Sequence, residues 1–560
     1  MRNKFIISIL AFCLSLPAFA AESVIMQTTK EELNRSINEL KKEDKPPYYL
    51  SYSIGDVSHT TLVASFGKIE VGIIDKKRIL DIDLRVGDYK FDNTHIIRGA
   101  SFSFGSGRTS VDLPIEDDVA PIKLAIWYAT DRTYKKAIET YEKAQTNKAV
   151  KVAEEDSSAD FSHEGPAKYF GDKVTMQVDT AYWSDRLRKL SAVFIQYPWI
   201  YDGQVSFNAE LLHKIFVSNE GTELESWEPT VRVFISGRTK AEDGMNLPLY
   251  KSYFAYKPED MPSETEMIND LNQMVTTLQA LRTAPLMSTF SGPAILSGEA
   301  SGVFFHEIFG HRVEGHRQKD PNSSQTFKGY TDKKILPDFI DVVFDPSAKI
   351  LNNKPLAGYY IYDDQGVKGQ KVVTVKDGIF KGFLMSRSPI EGFSNSNGHG
   401  RKQPGYSAVS RQSNLMVIAK KTKPVAELKN MLRDECKKQD KEFGLYFSVV
   451  QGGFTFTGRT VPNSFNVLPL LVYKIFVDGR PDEIVRGVDL IGTPLTTFSN
   501  VIAAGDDIGI FNGVCGAESG GVPVSASSPS LLVSLIEAQK KAKSQAKLPI
   551  LESPDTKTAR

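Results

Sequence analysis

The densest grouping of reactive side chains in this chain is His306-Glu307-Ile308-Phe309-Gly310-His311, with His316 close behind. Phe305, Ile308 and Phe309 recur at helical spacing, which predicts a helix with a buried apolar face. A glutamate between two histidines on such a helix carries a desolvation cost unless something compensates it. A divalent cation does so, because it accepts neutral imidazoles and draws a carboxylate towards water. The common zinc-protease motif spaces its histidines at i and i+4. Here they stand at i and i+5, which on a regular helix leaves the two side chains about 140° apart. Two local changes would bring them together, a π-bulge or a distortion at Gly310. The spacing by itself leaves a metal site and a hydrogen-bonded structural pair both open.

Other groups compete for roles. His316 is a further candidate imidazole. His399 lies in the Gly/Asn-rich stretch NSNGHGRKQ, where a mobile ligand, a substrate contact or a plain surface position would each fit. Arg401 in that stretch could meet a substrate carboxylate, a solvated loop being the commoner outcome. Glu314 reads as a carboxylate that orients a histidine. Asp363-Asp364, with Gly366 following, reads as a turn. Of three cysteines, Cys13 lies in the N-terminal apolar run, Cys436 in the charged helix LKNMLRDECKKQD as a half-buried thiol, and Cys515 in the Gly-flanked NGVCG, read as a turn. In an oxidising compartment Cys436 and Cys515 could pair. No GxxxxGK[ST] phosphate loop and no GxSxG elbow occurs, so nucleotide and serine-hydrolase readings lack support.

Several motifs follow one another in order: HEIFGHRVEGH, YYIYDDQGVKGQKVVTVKDGIFKGFLMSRS, SNSNGHGRKQ, QGGFTFTG and NGVCGAESGGVPV. Together they resemble the TldD/PmbA family of metallopeptidases over roughly residues 290–530. The N-terminal half resembles it in architecture only. The resemblance implies zinc (Zn2+) held by His306, His311 and Cys515, with Glu307 catalytic. It also implies a dimer, as homodimer or with a related subunit, and a site enclosed by the assembly. The family's inactive partner subunits typically lack HExxxH, so its presence favours the active type. Three protein ligands leave one position on a tetrahedral zinc for water, the pattern of a catalytic site. The resulting expectation is an exported zinc metallopeptidase acting on peptides or unfolded chains. The rival is a peptide-binding or partner subunit without turnover. A structural or storage zinc site is a third, weaker reading.

The elements that must position these groups follow from the rest of the chain. Its 560 residues suggest two to four domains, and a hydrophobic content of 41% is enough for sizeable cores. With 68 basic and 68 acidic residues there is no basic excess of the kind a general nucleic-acid binder shows. Arg2 and Lys4, the apolar run Phe5–Leu16, Pro17 and Ala18-Phe19-Ala20 read as an export signal. No later run is long and apolar enough for a transmembrane anchor. The expected organisation is a signal peptide over 1–20, an α+β region over 21–288, a metallopeptidase-like domain over 289–545 and a tail over 546–560. Helices are expected near 23–43, 131–155, 263–283 and 424–438. Strands are expected through 48–111 and in AVFIQYPWIYDGQVSFNAE, TVRVFISGRT, FIDVVFD, KVVTVKDGIFKGFLMS and LVYKIFVDGRPDEIVRGVDLIG; EAQKKAKSQAK should form a helical or frayed tail. The fold class is α+β, with a largely antiparallel C-terminal domain carrying the metal-site helix.

If Ala20 precedes the cleavage point, the mature protein begins at Ala21 and lies in the periplasm or outside the cell. Intact-mass measurement of protein exported by its own host checks this. A cytoplasmic chain that still carries Met1 through Ala20 would overturn it.

Overall fold

The computed structural model describes residues 22–96, 108–149, 156–455, 457–458, 465–492, 494–541, 547–551 and 553–554. The proposed signal segment lies outside them. The N-terminal half is built on a seven-stranded sheet. Its core is a run of long antiparallel strands in the order Lys68–Val86, Pro47–Ser65, Asp202–Ser218, Glu223–Lys240 and Asn246–Ala255. Alternating apolar residues such as Val205, Phe207, Val231, Val233 and Ile235 turn inward, as a half-buried strand requires. Helices Val24–Leu40 and Val119–Ala149 cover one part of the sheet, and Thr180–Ala192 and Glu264–Thr283 cover another.

The C-terminal half forms an eleven-stranded, mostly antiparallel sheet, so the fold is α+β as expected. Strands Phe290–Leu296, Phe443–Thr455, Phe465–Phe476, Val488–Gly492 and Gly520–Lys540 pair in succession, and Gly520–Lys540 returns to pair with Phe290–Leu296, closing a ring. Helix Gly298–Ile308 packs against Phe443–Thr455, Val501–Ala517 and Gly520–Lys540. Small residues let it approach. A Cβ at Gly298 would fall 2.4 Å from the Gly509 nitrogen, and one at Gly302 would fall 2.8 Å from the Ala526 oxygen. Phe304, Phe305 and Ile308 then enter an aromatic-rich core with Phe309, Phe327 and Phe498.

Some expected boundaries move. Ala192 ends a helix and Val193–Gln196 is a 3-10 turn, so the strand expected from there begins only at Asp202. The Val, Phe and Ile of this stretch satisfy the core from a helical turn, because Phe194 plugs the space above Gly203. The helix expected from 131 starts at Val119, and Glu537–Lys540 of the expected tail belongs to the last strand. The hairpin Val501–Ala517/Gly520–Lys540 was not among the strands expected; its many Gly, Ser and Ala residues weaken the usual strand signal.

Buried ties join the halves. Phe161 lies between the Arg85 and Arg387 guanidiniums, 3.6 and 4.0 Å from its ring centre. Lys402 pairs with Asp81, Lys214 pairs with Asp364 at 2.6 Å, and Arg232 donates to the Asn512 carbonyl at 2.7 Å.

Because a Gly509 Cβ would sit 2.1 Å from the Glu299 nitrogen, Gly509→Ala must push helix Gly298–Ile308 off the hairpin. The expected cost is about 1–3 kcal/mol of stability, the usual range for overpacking. Chemical denaturation measures it. Unchanged stability would show that the backbones do not touch.

Candidate metal centre

Helix Gly298–Ile308 is started by Ser297, whose hydroxyl accepts the Ala300 N–H. It ends at Ile308, and Gly310–Val313 continues as one 3-10 turn. The i, i+5 spacing is therefore accommodated by ending the α-helix before Gly310, with no π-bulge. The tighter turn swings His311 back, and the His306 and His311 rings stand 5.1 Å apart at 80°. Gly310 serves close approach: a Cβ there would fall 1.9 Å from the Gln412 carboxamide oxygen.

Cys515 lies within strand Val501–Ala517, opposite Val522, and so not in the turn expected of it. Its Sγ is 3.4 Å from His311 Nε2. One donor atom each from His306, His311 and Cys515 lies within 4.8 Å of the others. Neighbouring ligands on a tetrahedral zinc stand about 3.3–3.6 Å apart, so this two-imidazole, one-thiol set fits that ion with modest closure. Burial opposes ionisation of the Cys515 thiol, but His311 and His306 hold it well below its usual range. Cys436 is a free thiol too, wholly rather than half buried in a separate cluster, and burial pushes its pKa up to about 11.

The three donors line a cavity of 410 Å³ together with Glu307, Arg317, Glu518 and the strand segment Gln451–Thr455. Behind it lies a charge network centred on the fully buried Glu314 and Arg411. His311 Nδ1 is 3.3 Å from Glu314, whose carboxylate also accepts from Arg317 Nε at 2.8 Å. Burial would raise the Glu314 pKa, yet His311, Arg317 and Arg411 bring it down to about 2. Arg411 donates to the Cys515 carbonyl at 2.6 Å and to the Ser519 hydroxyl at 2.6 Å, with its Nε 3.4 Å from Glu314. It thus links the hairpin that carries Cys515 to the turn that carries His311. Gln412 donates to the His306 carbonyl at 3.2 Å.

The remaining candidates separate. His316 pairs with Glu518 at 2.6 Å beside the cavity and does not join the donor set. His399 is fully buried, bonded to Asn397 and Ser413, and burial pushes its pKa down to about 3. Arg401 is also buried, donating to the Gln412 and Pro523 carbonyls, so its stretch is not a solvated loop. Asp363 accepts the Gln365 and Val367 N–H groups, as a turn requires. Arg411, Gln412, Arg317 and Glu518 escaped sequence reading, because nothing in their spacing marks contacts made over 100 or more residues.

Arg411→Met keeps bulk and removes the link, so zinc affinity should fall about 10- to 100-fold, the range for groups that orient ligands. Competition with a chelator measures this. In the unaltered protein, chelation should expose Cys515 to alkylation and leave Cys436 as before. A Cys436–Cys515 disulfide in zinc-loaded protein would refute the assignment.

Residues 289–540 match the PmbA/TldA metallopeptidase C-terminal domain. A metalloprotease of Archaeoglobus fulgidus is 30% identical over 42% of this chain and 51% of its own. A zinc metalloprotease TldD homolog of Saccharolobus solfataricus is 22% identical over 62% of this chain and 74% of its own. The chain spans about half to two thirds of the length of several curated relatives it matches. The crystal structure of TldE from Thermococcus kodakarensis superposes with a TM-score of 0.59 at 14% identity, covering 91% of this chain and 100% of its own. The C-terminal domain, residues 289–540, thus belongs to the TldD/PmbA family of metallopeptidases, and the fold is shared with TldE over nearly the whole length.

Proposed function

We propose that the chain is an exported zinc metallopeptidase that hydrolyses peptides or unfolded polypeptides. The convergence of His306, His311 and Cys515 on one cavity, with Glu307 lining the same space, carries this reading. Bound there, zinc would supply Lewis acidity towards a peptide carbonyl and towards water. Glu307 follows His306 directly, so its carboxylate is held by the same helix turn as the ligand. It takes a proton from the attacking water and gives it to the amine nitrogen as the C–O bond forms and the C–N bond breaks. Glu314 holds the Nδ1 side of His311, which leaves Nε2 facing Cys515. The resemblance extends the reading to a dimer, with a second copy or a related chain. The N-terminal segment, read as an export signal, supports extending this reading to the periplasm or the outside of the cell.

The rival reading, a partner subunit that binds peptide without turnover, is separated by Glu307→Gln. This substitution keeps size and hydrogen bonding but cannot accept the proton. Zinc content should be retained, and peptide cleavage should fall at least about 100-fold. Cleavage at the unaltered rate would remove Glu307 from the mechanism, and no zinc-dependent cleavage in either protein would favour the rival.

A further inference from the structure

A second cavity, of 270 Å³, lies at the seam between the two halves. Its walls carry five half-buried aromatic side chains: Tyr169, Trp227 and Tyr256 from the N-terminal half, Tyr359 and Tyr362 from the C-terminal half. The rings are fixed from behind. Trp227 stacks on His213 with 4.5 Å between centres, Tyr169 and Tyr362 stand 5.6 Å apart, and Tyr256 donates to the Leu356 carbonyl. Lys349 lies over both Tyr256 and Tyr359, at 4.9 and 5.5 Å. The inner charges are matched among themselves. Lys214 bridges Glu228 at 3.1 Å and Asp364 at 2.6 Å, and Arg401 is engaged by two carbonyls. Such a lining selects by ring contact, edge to face or offset, rather than by charge. Its volume lies just below the 300–1,000 Å³ usual for small-molecule sites, which is room for about one ring system.

The cavity neighbours the metal centre through a succession of shared wall residues. It shares Tyr362, Asp364, Arg401 and Pro523 with an interdomain cleft of 770 Å³. That cleft shares Val514 with the metal cavity. Val514 pairs with Pro523 across the hairpin and directly precedes Cys515. We propose that the aromatic cavity is a subsite that anchors an aromatic side chain of the polypeptide substrate, away from the bond being cut. This rests on the peptidase reading above and adds a substrate class to it, unfolded chains bearing exposed Phe, Tyr or Trp. Binding energy gained there holds the chain along the cleft while the cavity at His306 acts on another part of it.

The test uses the full chain carrying Glu307→Gln and isothermal titration calorimetry. The probes are an unstructured Gly/Ser peptide with one tyrosine and the same peptide with leucine in its place. The tyrosine peptide should bind about 5-fold or more tightly than the leucine peptide, as expected for aromatic pairing beyond simple burial. Tyr359→Leu and, from the other half, Tyr169→Leu should each bring the ratio towards one, with melting temperature as the control for folding. Equal affinities in the parent protein, no binding of either peptide, or a ratio that neither variant moves would each overturn the subsite. Cleavage by the unaltered protein is assayed in parallel. Cleavage without aromatic preference sinks the subsite alone, whereas aromatic preference without zinc-dependent cleavage sinks the peptidase reading alone.

Discussion

The candidate metal centre depends on a helix lying on bare backbone. His306 and Glu307 stand at the end of Gly298–Ile308, and Cys515 stands on a strand of the Val501–Lys540 hairpin. The two approach because Gly298 and Gly509 present no side chains to each other and Gly302 presents none to Ala526. One methyl group at this contact would press the helix away from the hairpin and so draw the imidazoles away from the thiol. The small residues at the helix start and the phenylalanines after them thus have distinct tasks. The first set the distance, and the second anchor the helix in the core so that the distance holds.

The closeness has an electrostatic consequence. A thiol whose ionisation the histidines favour, two imidazoles, two carboxylates and two guanidiniums lie together largely out of water, where an unmatched charge is costly. They are matched in sequence: Cys515 to His311, His311 to Glu314, Glu314 to Arg317 and Arg411, Arg317 to Glu518. Arg411 closes the circuit by returning to the Cys515 carbonyl. The arrangement favours a dication at its open end, and it makes the ligands rigid because moving one unpairs the next.

The N-terminal half contributes through the seam rather than through ligands. Arg232 holds the carbonyl of Asn512 on the ligand-bearing strand, and Lys214 holds Asp364 on the wall of the cleft. The family domain match begins at residue 289, whereas structural similarity to TldE covers 91% of the chain. The difference has a physical basis. A sheet covered by helices needs alternation of apolar and polar residues, which many sequences satisfy. A metal centre needs particular atoms at particular places.

Sequence alone determined which reactive groups lie close along the chain and the class of fold. The imidazoles of His306 and His311, the carboxylate of Glu307 between them and the burial of their helix were legible because side-chain chemistry and helical periodicity are local properties. The strands at 47–86, the strand stretches 202–210 and 230–239 and the helix ending at Thr283 were legible for the same reason. Cys515 came from the order of motifs along the chain, since nothing within NGVCG distinguishes a strand from a turn. Tertiary structure decided how an i, i+5 pair converges, through a helix end at Ile308 and a 3-10 turn beside Gln412. It also decided that Arg411 and Glu518 belong to the network, that His399 and Arg401 are interior, and that five half-buried aromatic residues from both halves meet in one cavity. These contacts join residues far apart in sequence, and their free energy exists only once both sheets have formed.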